Sequence, residues 1–240
     1  MPDRPLSPPS LGHSLHELLF CKDAVRLLPH LHKLRQAPVT QPGTVILLPG
    51  FGAAHGSLVP LRQFLRHRGF DARDWGIGRN TGQVTKLLGE LIDAIEKEAQ
   101  SSSAPVYLVG WSLGGFLARE AARELPAYIR HVITLGSPVV GGPRYTVTAP
   151  FYRWRGYDLD LIESRMAERY DIPIQVPITA FYTKHDGVVS WEACIDHWSE
   201  QVEHIEVDTT HIGMGFSPEV INRVADILET ANQQNTQAVG

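Results

Sequence analysis

Val106-Tyr107-Leu108-Val109-Gly110-Trp111-Ser112-Leu113-Gly114-Gly115 is the stretch on which the reading of this 240-residue chain turns. Its first four residues are apolar and read as a short buried strand. A helical pattern, Leu113 to Leu125, starts directly after it. A strand that turns so abruptly into a helix forces a strained backbone on the residue at the tip, and that residue's neighbours must be small. Gly110 and Gly114 meet the demand, and Gly115 lets the new helix pack close to the strand. Ser112 occupies the tip, where the helix N-terminus directs partial positive charge. Gly-x-Ser-x-Gly alone is a frequent coincidence in a chain with 21 glycines, and the plainer reading is a solvated serine in a Gly-rich turn. The strand before and the helix after favour a nucleophile.

Outward from that turn the chain alternates in type. Val45 to Leu48 reads as a buried strand, Leu58 to Gly69 as a helix ended by glycine, and Asp71 to Trp75 as a weaker strand. Val84 to Ala99 is an amphipathic helix, Ser101 to Pro105 a loop, and Val132 to Leu135 another strand. Ile178 to Tyr182 and Ile205 to Val207 are the last strands. Pro218 to Ala231 is the closing helix, with Ser217 as N-cap and Pro218 at its first position. Such alternation predicts an α/β fold, with a mostly parallel central sheet and helices on both faces. Residues 141–177 break the rhythm with Gly141-Gly142-Pro143, several aromatics and a short helix from Leu159 to Arg169, and read as a small cap insertion. The expected organisation is an N-terminal lead and helical segment over 1–36 and one α/β domain over 37–240. There are no internal repeats.

A serine nucleophile needs a base and an acid, and where the nucleophile sits on a strand–turn–helix elbow these are looked for on loops after later strands. Asp186 follows the Ile178–Tyr182 strand in Thr183-Lys184-His185-Asp186-Gly187, and an Asp-Gly turn is its plainer reading. His211 follows the next strand in Asp208-Thr209-Thr210-His211-Ile212-Gly213, just before the final helix. A lone loop histidine is usually inert. Three residues in the order Ser112, Asp186, His211 on separate post-strand loops are far more specific than any one of them. Asp208 is the rival acid, with Glu206 behind it, and His185 reads as a bystander. The developing oxyanion would be met by the backbone N–H of Leu113 and by that of Phe51 in Leu47-Leu48-Pro49-Gly50-Phe51-Gly52.

Composition narrows the field. At 43% apolar residues the chain supports a sizeable core. A net charge of −4 argues against a nucleic-acid surface. Cys21 and Cys194 have no metal or redox spacing; a reducing compartment suits them, with one long-range disulfide as the alternative. The Pro-rich start has no signal-peptide character, and no stretch nears the roughly 18 apolar residues of a membrane span. The expectation is a cytoplasmic protein without a transmembrane segment. His13 to Leu34 carries Leu15, Leu18, Leu19, Leu27, Leu28, Leu31 and Leu34, a helical spacing broken near Pro29. It reads either as a helix packed on the domain or as an oligomer or membrane-surface face. His30-Leu31-His32 is the sole close histidine pair and has no carboxylate cluster beside it, so no metal is expected.

The chain resembles the lipase- and esterase-type α/β-hydrolases, and more narrowly a group of small bacterial hydrolases. The resemblance rests on Leu48-Pro49-Gly50-Phe51, Pro60-Leu61-Arg62, Trp75-Gly76-Ile77-Gly78-Arg79-Asn80, the Ser112 turn, Leu135-Gly136-Ser137-Pro138, Tyr182 to Gly187 and His211-Ile212-Gly213, and spans about Thr44 to Leu228. It implies the fold, a Ser–Asp–His triad, hydrolysis without a cofactor and a small-molecule acyl ester as substrate. Pro49-Gly50 departs from the His-Gly that many esterases carry before the oxyanion residue. Arg79 and Asn80 are expected to tie loops together through backbone carbonyls, with a reach of either one into the site as the alternative. Ser137, Phe151, Tyr152 and Trp154 are the candidate substrate-binding residues, with plain packing as the alternative for the aromatics. Acyl transfer by the same three residues, and a catalytically silent binding protein on this fold, are the rival functions.

Overall fold

A computed structural model describes residues 6–30, 38–40 and 43–239. The Pro-rich residues up to Pro5, Leu31, His32 and Leu34 of the expected helical segment, and part of the connector from Ala37 to Gly43 lie outside the described residues.

Six strands form one parallel sheet: β1 (Thr44–Leu48), β2 (Asp71–Asp74), β3 (Val106–Trp111), β4 (Ile129–Leu135), β5 (Ile178–Tyr182) and β6 (Val202–Glu206), in the order β2-β1-β3-β4-β5-β6. With every strand parallel, all carboxyl ends lie at one edge. The chain leaves β1 towards β2 and returns to β3 on its other side. That reversal makes the β1/β3 boundary the switch point where open α/β sheets hold ligands. The loops after β1 and β3 are those that carry Phe51 and Ser112.

Eight helices are described: α1 (Leu11–His16), α2 (Phe20–Leu27), α3 (Val59–His67), α4 (Val84–Ser102), α5 (Leu113–Glu124), α6 (Ala149–Trp154), α7 (Leu159–Arg169) and α8 (Pro218–Val239). The sheet is buried on both sides, so its strands are near-continuous apolar runs. Val45 and Leu47 face a layer built from α3 and α8, with Leu61, Phe64, Leu65, Val224 and Leu228. Ile46 and Leu48 face the layer of α4 and α5, with Leu87, Leu91, Ile95, Leu117 and Ala121. Leu87, Leu91 and Ile95 recur every fourth residue and bury one stripe of α4.

Several boundaries differ from expectation. β6 starts at Val202 and ends at Glu206 rather than running from Ile205 to Val207. It is an edge strand whose Glu203 and Glu206 are exposed, so it lacks an apolar run; charge on an edge also discourages pairing with another chain. β4 begins at Ile129, because Arg130 and His131 are polar residues inside a strand. Ser101 and Ser102 extend α4, and Ser103 ends it at φ 51°. The aromatic run of residues 149–154 forms α6, entered through Pro150 in its first turn.

The N-terminal segment forms α1, a single 3₁₀ turn (Glu17–Leu19) and α2, which ends at Leu27 just before Pro29. Its leucine-rich face points outward: Leu15 and Leu18 are 68% exposed and Leu28 57%. Glu17, Asp23 and Leu27 are the buried residues. The segment packs on the domain through Leu27, which joins the core, and through its acidic face, while Leu15, Leu18 and Leu28 point outward.

Candidate active site

Ser112 sits between β3 and α5 at φ 54° and ψ −123°. A non-glycine residue in this region stores about 1–3 kcal/mol of strain. The surroundings hold it there. The Ser112 N–H continues the ladder by donating to the Leu135 carbonyl at 2.8 Å. A side chain at Gly110 would meet the backbone of Gly114 and Gly115, and one at Gly114 would meet the carbonyls of Leu48 and Pro49. The turn is therefore tight against both its own helix and the end of β1.

The loop after β5 carries Asp186, whose Oδ1 accepts the N–H groups of Val188 (2.8 Å) and Val189 (2.7 Å). Its Oδ2 lies 2.7 Å from His211 Nδ1, and both side chains are buried. Thr183 Oγ1 donates to the Thr209 carbonyl at 2.7 Å and joins the loop of Asp186 to the loop of His211. Trp111 Nε1 donates to the His211 carbonyl at 3.1 Å, and the two rings lie 6.0 Å apart. Burial pulls the His211 imidazole down. The charge and hydrogen bond of Asp186, with the charge of Glu17, outweigh that and hold it above its ordinary 6.5.

The rival acids lie elsewhere. Asp208 is exposed and 3.9 Å from His185, itself exposed. Glu206 pairs with Lys184 at 2.9 Å. No direct hydrogen bond joins Ser112 to His211 among the described residues, although both line the same cavity. Such bonds are often long before substrate is bound.

The loop after β1 is tied down by the stretch after β2. Buried Asn80 donates from Nδ2 to the Pro49 carbonyl (2.9 Å), its N–H donates to the Ala53 carbonyl (2.9 Å), and its own carbonyl accepts the Gly52 N–H (2.8 Å). Arg79 donates to the Gly52 carbonyl at 2.7 Å. Arg79 and Asn80 thus bind loop carbonyls, as expected. Among the described residues, neither Phe51 nor Leu113 donates its N–H to another backbone group, and both line the cavity.

That cavity has a volume of about 960 Å³ and opens at the Ser112 end of the sheet. Of the four candidate substrate-binding residues, only Tyr152 lines it. Burial, with Tyr157 alongside, pushes the Tyr152 phenol up to about 12, so it stays neutral. Phe151 packs outside against Phe51, with ring centroids 5.5 Å apart, and Trp154 is 78% exposed. Ser137 is buried behind the turn, beside Gly115, where its Oγ has no hydrogen-bond partner among the described residues. The walls come instead from Pro138, Ile162 and Met166 on one side and Leu88 and Ile92 of α4 on the other. The sequence pattern marks those α4 residues only as ordinary members of an amphipathic helix.

Among the described residues no group of three or more His, Cys, Asp or Glu is arranged to hold a metal. Cys21 and Cys194 are free thiols. No described helix is long and apolar enough to cross a membrane.

A sequence model described as the alpha/beta hydrolase family matches residues 45–224. The chain belongs to the alpha/beta hydrolase family. Among curated proteins no significant sequence match exists. Solved structures of the family superpose well at low identity. A monoacylglycerol lipase from Paleococcus ferrophilus has a TM-score of 0.57 at 16% identity, covering 82% of this chain and 97% of that one. A lipase-esterase related protein from Clostridium acetobutylicum reaches 0.60 at 15% identity, covering 80% and 95%. A Bacillus licheniformis lipase in mature form reaches 0.60 at 15% identity, covering 81% and 95%. At such identities these alpha/beta hydrolases share the fold.

Proposed function

We propose that this alpha/beta hydrolase cleaves carboxylic esters through an acyl-enzyme on Ser112. One observation carries the reading: His211 holds a 2.7 Å contact with Asp186 while sharing a cavity with Ser112. Asp186 accepts a hydrogen bond from the protonated Nδ1, which leaves Nε2 free as a base. As Ser112 Oγ attacks the acyl carbonyl, its proton passes to Nε2. The carbonyl oxygen becomes an oxyanion, received by the N–H groups of Leu113 and Phe51, each worth about 3 kcal/mol in the transition state. His211 then gives its proton to the departing alkoxide. In the second half His211 deprotonates a water that attacks the acyl-serine, then returns that proton to Ser112 Oγ as the C–Oγ bond breaks, and the carboxylic acid leaves. A base held above its ordinary range suits the step in which it carries the proton.

The apolar lining of Pro138, Ile162, Met166 and Leu88 supports an acyl chain as the group bound. The lipase and esterase names of the structural neighbours support the same substrate class. Replacement of Ser112 by alanine is expected to abolish hydrolysis of p-nitrophenyl butyrate in a protein that stays folded. A fluorophosphonate should label the native chain at Ser112 alone. Undiminished turnover by the Ser112→Ala variant, or labelling elsewhere in active protein, rejects the reading.

A further inference from the structure

Glu17 is a buried carboxylate outside the matched family region, and it faces the back of the proposed catalytic loops. Its Oε1 accepts the N–H of Gly187 at 2.7 Å and that of His211 at 3.1 Å; its Oε2 accepts the N–H of Ile212 at 2.8 Å. Gly187 directly follows Asp186, so one side chain gathers backbone donors from the acid's loop and from the base itself. Its hydrogen-bond donors among the described residues are these three amides, and no cation pairs with it there. A carboxylate out of water is tolerated only where such donors replace its hydration.

The two sides are fitted to each other. Gly187 carries no side chain, and a Cβ there would strike the His13 carbonyl and stand 2.9 Å from Glu17 Cγ. A Cβ at Gly213 would stand 2.7 Å from Asp23 Oδ2, which already accepts the Thr209 hydroxyl at 2.6 Å. Ser14 Oγ donates to the Gly187 carbonyl at 2.9 Å. The N-terminal helices thus grip both loops at several points, and the grip centres on Glu17.

We infer that Glu17 is a positioning residue, which locks the Asp186 and His211 loops in register and places a fixed negative charge behind the imidazole. The inference rests on the proposed triad. Glu17 touches no substrate and acts through the two loops. Among the described residues the charged groups that act on His211 are Asp186 from the loop after β5 and Glu17 from the N-terminal segment.

The test uses the full chain with Glu17→Gln, Glu17→Asp and Asp23→Asn. Glu17→Gln keeps the shape but removes the charge and turns one acceptor into a donor. Its kcat on p-nitrophenyl butyrate should fall by about tenfold, as misplaced catalytic groups cost, with KM nearly unchanged. The His211 titration midpoint, followed by NMR of the imidazole and therefore independent of turnover, should move to lower pH. Glu17→Asp retains the charge with displaced oxygens; it should lower kcat while leaving the midpoint near that of the native chain, and it serves the test if Glu17→Gln does not fold. Asp23→Asn loosens the same segment away from His211 and should lower the melting temperature without moving the midpoint. A folded Glu17→Gln protein with native kcat and midpoint overturns the inference. So does an equal midpoint shift in Asp23→Asn. If the native chain itself neither reacts with a fluorophosphonate at Ser112 nor cleaves esters, the triad reading fails instead, and the NMR midpoint still reports on Glu17.

Discussion

Gly136 has no side chain because the Asp186–His211 pair fills the space one would need. It lies at the end of β4 at φ 56°, and its N–H donates to the Phe181 carbonyl at 2.9 Å. A Cβ there would stand 2.8 Å from His211 Nδ1 and 3.1 Å from Asp186 Oδ2. The first is closer than a methyl tolerates and the second is tight, and the backbone angle adds strain for any L side chain. Gly136→Ala is expected to cost about 1–3 kcal/mol of stability. Because it displaces the imidazole, it should also lower kcat on p-nitrophenyl butyrate by about a hundredfold. Thermal unfolding and steady-state kinetics measure the two separately; a variant with native kcat would show that the pair has room to shift. Leu135-Gly136-Ser137-Pro138 is prominent in the sequence, yet the residue that bears on the site is its glycine. Ser137, with its conspicuous hydroxyl, is buried behind the turn.

The elements around the site owe their order to loops as much as to strands. The segment Pro49 to Ala53 has no regular structure of its own, and Asn80 stands in for a neighbouring strand through its side-chain amide and main chain. Asn80→Ala leaves the buried Pro49 carbonyl without its donor, a loss of about 1–3 kcal/mol. It also frees the loop that carries the Phe51 N–H. We expect kcat to fall more than the rate of covalent labelling at Ser112 would suggest for a nucleophile defect, with KM little changed; an unchanged kcat would detach Asn80 from oxyanion binding. This scale also explains which features were readable in advance. β1, β3, α4 and α5 were legible because buried strands and amphipathic helices write their burial into apolar spacing. The placement of Ser112, Asp186 and His211 followed from strand order, which spacing also reveals. The start of β6 was hidden because an edge strand need not be apolar. The orientation of the N-terminal helices was hidden because leucines normally face inward. Here three of the partners on the domain are backbone N–H groups, which Glu17 satisfies where leucine would not, and of Leu15, Leu18, Leu19, Leu27 and Leu28 it is Leu27 that joins the core.

For the molecule as a whole, the parallel sheet gathers the loops of Ser112, Asp186 and His211 at one edge and encloses polar side chains between its strands, and this makes stability depend on pH. His131 in β4 is held 2.9 Å from Thr179 Oγ1 of β5. Burial pushes its imidazole down to about 4 from 6.5. Between those values the unfolded chain binds a proton that the folded chain refuses, so stability rises with pH. The contribution is complete above about 6.5 and is lost as pH falls towards 4, amounting to about 3 kcal/mol there. His211 acts in the opposite sense. Its raised pKa stabilises the fold below 6.5, and that gain disappears as pH rises through the folded value. Asp196, held down at about 2 against burial chiefly by Arg119, contributes in full across this range and loses that contribution only as pH falls below about 3.8. His131→Gln keeps a hydrogen-bonding group for Thr179 but has no proton to gain. Urea unfolding at pH 7.5 and 4.5 should show the native chain losing about 2 kcal/mol more than this variant over the interval. An equal loss in both proteins would mean that acid sensitivity arises from other groups. His204, also lowered by burial at the β6 edge, would then be the next histidine to replace.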